Sequence, residues 1–154
     1  MKKVRYISND KNEVCIYLDK TIFKNEESEI DSIVKIVKLF HPYKFSGTFI
    51  SDCDIDINKL KNISLKIELI SYKKSLFYNN FTIDITFELF KIIEILRLFY
   101  KMDITFEGYA VRSDESKFRI VINDHDGSCI IVNKELINLD NCKKEIEKII
   151  KEQN

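Results

Sequence analysis

The chain is poor in the residues that build phosphate and metal sites. Its 154 residues include three glycines (Gly47, Gly108, Gly127), one proline (Pro42) and two histidines (His41, His125). A loop that closes backbone N–H groups around a phosphate needs clustered glycines, and no two of these lie near each other. Metal sites want several His or Cys at short spacing. The four cysteines, Cys15, Cys53, Cys129 and Cys142, are far apart and form no CxxC. A GxSxG nucleophile elbow is missing too. By motif, these absences exclude the familiar phosphate-loop, zinc and serine-hydrolase chemistries, and no cofactor is expected.

Excess charge is absent as well. Twenty-five Lys and Arg balance 25 Asp and Glu, so no global field draws the chain to nucleic acid or to anionic lipid. The most apolar stretch, Thr86–Met102, carries a charge on every helical turn, which excludes a membrane span. No secretory signal pattern opens the sequence, and widely separated cysteines read as reduced thiols in a cytoplasmic protein.

What is present is the composition of a folded domain: 45% hydrophobic and 32% charged, enough for one core over residues 1–154. Isoleucine, lysine and asparagine abound and Ala110 is the only alanine, the bias that an AT-rich gene of a low-GC microbe or mobile element produces.

Alternation predicts strands at Val4–Ser8 and Val14–Leu18 around a polar turn, then at Phe45–Ile55, Ile63–Tyr72 and, more briefly, Phe81–Ile85. A helix is expected from Ser28, capped by Ser28 with Asp31 and stopped by Pro42. The Thr86–Met102 stretch reads as a second helix, buried on most sides, with Glu88, Lys91, Glu94, Arg97 and Lys101 as its polar stripe. Strands at Ile104–Val111, Phe118–Asn123 and Ser128–Asn133 follow, and a last helix spans about Leu139 to Lys151. A two-residue turn within Asp124–Gly127 would set Ile120 and Ile122 on the face of Cys129 and Ile131, and Val121 on that of Ile130 and Val132. The expected fold is α+β: a mostly antiparallel sheet with about three helices on one main face, in the order ββ-α-ββ(β)-α-βββ-α.

Acidic clusters supply the candidate sites. Asp52, Asp54, Asp56 and Asn58 have the opening spacing of a calcium loop, but Ile57 stands where glycine is needed and Ile63 where glutamate is, so no metal is expected. The aspartates read instead as an acidic ridge suited to a basic surface. Asp124, His125 and Asp126 form a second acidic group at a hairpin tip, where turn chemistry already favours polar residues. Lys59, Lys61, Lys66, Lys73 and Lys74 with Tyr72 and Tyr78 resemble a single-strand nucleic-acid surface, but the neutral chain argues against that use.

The leading expectation is a non-enzymatic protein-binding domain, an immunity-type inhibitor that masks a toxin or effector. Its partner would be another protein with a basic surface, met through Asp52, Asp54, Asp56, Asp124 and Asp126. The alternatives are a small enzyme using the carboxylates of either cluster, and a structural subunit that forms a homodimer through the two-faced hairpin or the Thr86–Met102 helix. No membrane partner is expected.

Overall fold

A computed structural model describes residues 4–9, 11–51, 56–74, 79–102, 104–124, 127–134 and 139–153. Eight antiparallel strands form one sheet: β1 (Val4–Ser8), β2 (Glu13–Asp19), β3 (Pro42–Ser51), β4 (Lys66–Lys74), β5 (Asn79–Glu88), β6 (Ile104–Arg112), β7 (Lys117–Asp124) and β8 (Gly127–Asn133). Their spatial order is β1-β2-β8-β7-β6-β3-β5-β4. Four helices accompany them: α1 (Glu26–Lys38), α2 (Ile57–Ile63), α3 (Ile92–Met102) and α4 (Leu139–Glu152). The fold is α+β and mostly sheet. It has one helix more than the sequence suggests, because α2 interrupts the expected run of strands between β3 and β4.

The core lies between one face of the sheet and the helices. Alternate residues of neighbouring strands, such as Val14, Ile16, Ile130, Val132, Ile120 and Ile122, are buried there with Ile33 and Ile36 of α1, Leu60 of α2, Leu96 of α3 and Ile146 of α4. Phe45, Phe49, Phe87 and Phe106 fill its centre. Phe106 lies 5.5 Å from the Phe87 ring, 5.6 Å from Phe49 and 6.3 Å from Phe45. Edge-to-face contact of this kind adds to the area each ring removes from water. Gly47 and Gly108 stand directly opposite each other in the β3–β6 pair. A Cβ on either would collide with the other's Cα and the neighbouring carbonyl, so two of the three glycines are there for strand approach. The sheet's second face carries no described helix.

Several expectations change. Helix α1 begins at Glu26, since Asn25 rather than Ser28 caps it: the Asn25 carboxamide oxygen accepts the Ser28 N–H at 2.9 Å. Its end agrees better, with the chain leaving at Pro42 after His41 takes a φ of 59°. Residues Thr86–Glu88 belong to β5, and Leu89–Lys91 form a single 3-10 turn before α3. Phe87 therefore reaches the core from the sheet. The helix is also less enclosed than expected: Leu96 is fully buried, but Ile93 is exposed beside Glu94 and Arg97.

In the last hairpin Asp124 pairs with Ser128, so three residues form the connection instead of two. A one-residue change in register inverts every side chain. Ile120 and Ile122 thus share the covered face with Ile130 and Val132, whereas Val121 sits opposite Ile131 on the other face. Both faces of the hairpin are apolar, with their members exchanged.

The thiol expectation is also overturned. Cys15 and Cys129 form a disulfide across β2 and β8, with Cα atoms 6.2 Å apart, an ordinary span for such a link. Cys142 is free and partly buried, and burial pushes its thiol pKa up. Cys53 lies outside the described residues.

Candidate functional site

The strand registers bring the strand ends that flank the two acidic clusters to one end of the sheet. Ser51, the last residue of β3, pairs with Ile104, the first of β6; Thr105 pairs with Asn123, and Asp124 with Ser128. The segment that begins with Asp52, the residue Asp103, and the segment from Asp124 to Gly127 therefore leave four neighbouring strands, β3, β6, β7 and β8. No Lys or Arg occurs in residues 52–55, 103 or 124–127. Asp19 closes β2 at the same end, opposite Gly127.

Of the residues expected to bind a partner, Asp52, Asp54 and Asp126 lie outside the described residues, as does His125. Asp124 is the last residue of β7. Asp56 is exposed and has a structural duty: its carboxylate accepts the Lys59 N–H at 3.1 Å and caps α2. Hydrogen-bonding a helix N-terminus is what an aspartate before a helix commonly does. Asp19 behaves similarly, accepting from the Thr21 N–H at 2.9 Å and the Thr21 hydroxyl at 2.8 Å.

Beneath this end lies a buried carboxylate that sequence patterning does not reveal. Glu29, in the first turn of α1, is 5% exposed and accepts a hydrogen bond from the Ser128 hydroxyl at 2.7 Å. Ser128 itself is buried and pairs with Leu18. The contact seats the N-terminus of α1, with exposed Glu26 and Glu27, against the strand ends that carry the aspartates. Glu27 ion-pairs with Arg97 of α3. The only available signal was an acidic first turn, which reads equally well as ordinary helix-dipole compensation.

The acids between β6 and β7 do not join this end. Asp114 and Glu115 lie in the β6–β7 turn at the opposite end. There Asp114 accepts from the Ser116 hydroxyl, which together with the Ser116 N–H holds its carboxyl below the usual range. Glu115 accepts from the Tyr43 hydroxyl. Glu107 sits on the uncovered face and pairs with Arg119 at 2.5 Å. Arg119 also binds Glu13 at 2.6 Å, and Asn9 donates to the same carboxylate. Burial alone would raise the Glu13 pKa; the Asn9 and Arg119 hydrogen bonds and the guanidinium charge bring it below the usual 4.5.

The lysine group is dispersed as well. Lys59 and Lys61 belong to α2 and Lys66 to the start of β4, whereas Lys73 and Lys74 close β4 at the same sheet end as Ser51 and Asp124. Tyr78 lies outside the described residues. On the uncovered face a shallow depression of about 250 Å³ is lined by Ser46, Thr48, Lys66, Glu68, Asp84 and Thr86. Among the described residues no three His, Cys, Asp or Glu are grouped to hold a metal ion, and no helix is long and apolar enough to cross a membrane.

Comparison with protein-family models, with curated proteins and with solved structures finds no match.

Proposed function

We propose that this protein is a non-enzymatic binding domain, an immunity-type inhibitor whose aspartate-rich sheet end covers the basic site of a toxin or effector. One observation carries the reading: acidic segments distant in sequence leave four adjacent strand ends with no cation in them, on a chain whose total charge is zero. Concentrating charge of one sign on part of a neutral protein gives that part a local field, which orients and speeds encounter with an opposite surface.

Cytoplasmic action is part of the proposal. Its test is fractionation of source cells, which should place the protein with cytoplasmic markers; recovery with an extracytoplasmic fraction would overturn it.

The function is tested by capture and inhibition together. Immobilised wild-type protein should retain, at low salt, a basic protein from source-cell extract. Added wild-type protein should inhibit that partner's activity, and the variant Asp52→Lys, Asp54→Lys, Asp124→Lys should do neither. Equal capture and inhibition by the folded variant would overturn the reading. Asp56 is left intact because its loss would disturb α2.

A further inference from the structure

We infer that two copies of the chain associate through β4, edge to edge and antiparallel, about a twofold axis at Ile67. β4 ends the sheet and pairs only with β5. An edge strand presents unpaired backbone groups, and proteins that must stay monomeric shield such edges. Beside its charged residues this one presents large apolar side chains: Leu69 is 47% exposed and Ile70 51%, and Leu65 just before the strand is 59% exposed.

Its charges favour one partner. Glu68 stands opposite Asp84 of β5, two exposed carboxylates side by side, and like charges directly opposed destabilise a strand pair. Thr48 donates a hydrogen bond to Asp84. Among the described residues no cation pairs with Glu68, and no carboxylate pairs with Lys66. A second β4 supplies both. Facing residues of an antiparallel pair share a sheet face, so a twofold pairing must centre on a residue. Centred on Lys66 it sets lysine against lysine, and centred on Glu68, glutamate against glutamate. Centred on Ile67 it places Lys66 of each copy opposite Glu68 of the other, and Leu65 opposite Leu69. The register shift between Leu69 and Ser71 then marks where regular pairing stops. The contact is independent of the aspartate end and leaves the helix-covered face of both copies on the same side.

The test is a charge swap read by sedimentation velocity over a range of concentrations. Wild-type protein should show a concentration-dependent dimer. Glu68→Lys and Lys66→Glu, each introducing two like-charge pairs, should weaken it by about tenfold or more. The double variant Lys66→Glu, Glu68→Lys should restore it, and an equimolar mixture of the two single variants should form a heterodimer. All substituted positions are exposed, and circular dichroism verifies that each variant is folded. A wild-type protein that stays monomeric at every concentration would overturn the proposal. So would single variants that dimerise like wild type, or a swap that fails to restore the dimer.

Discussion

The two ends of the sheet solve the same problem with different chemistry. At the aspartate end a buried carboxylate, Glu29, is satisfied by a neutral donor, the Ser128 hydroxyl, while the Cys15–Cys129 disulfide ties β2 to β8 midway between the two ends. At the opposite end a buried carboxylate, Glu13, is held by the Arg119 guanidinium. Lys38, Lys44, Arg112, Lys117 and Lys134 lie among the turns there with Asp114 and Glu115, so charge of both signs meets locally. An end whose acids are answered by bonds within the chain contributes to folding. At the aspartate end the cations, Lys20 after β2 and Lys73 and Lys74 in β4, stand on the flanking strands, to either side of the four whose connecting segments carry acids and neither Lys nor Arg.

The largest expected effect concerns the brace that lies between the two ends. Replacing Cys15 and Cys129 by serine removes a link between residues 114 apart and should lower stability by about 2–5 kcal/mol in urea unfolding. A dithiol reductant should lower the melting temperature of wild type and leave the double variant unmoved. A reductant-insensitive wild type would mean that the β2–β8 pair stands without the link.

Next come the two carboxylate anchors. Arg119→Met leaves Glu13 buried without its cation and should cost about 1–3 kcal/mol at neutral pH. Because the folded-state pKa of Glu13 is lowered, its contribution is present above the ordinary carboxyl range and disappears as pH falls below 4.5 through the lowered value. The stability gap between wild type and Arg119→Met should therefore narrow in acid. A gap that widened there would show that the guanidinium does not hold the carboxylate charged. Ser128→Ala removes a neutral donor and should cost less, about 1–2 kcal/mol. A cost above that of Arg119→Met would reverse the comparison between the two ends.

Strand identity was legible because alternation is local. All eight strands overlap an expected one, read from alternation or, in β7 and β8, from a short apolar run, and the expected turn after β1 has Asn9 accepting from the Lys11 and Glu13 N–H groups. Helix α2 was hidden because Asp56, its cap, also completes a tempting metal-like spacing, and because seven residues give little periodicity to read. The face of Val121 was misassigned through a single extra turn residue. Neither the disulfide nor the shared acidic end could be read along the chain. Both depend on β8 inserting between β2 and β7 and on β6 joining β7 to β3, pairings fixed by the packed sheet rather than by local pattern.

The most direct test of the account is the association rate with the captured basic partner, measured by stopped flow at low and high salt. Three proteins are compared: wild type, the Asp52→Lys, Asp54→Lys, Asp124→Lys variant, and a control with Asp114→Lys and Glu115→Lys at the opposite end. The account predicts that the aspartate-end variant associates about tenfold or more slowly at low salt, that the control stays close to wild type, and that added salt closes the gap. Equal slowing by both variants, or by neither while each remains folded, would contradict it.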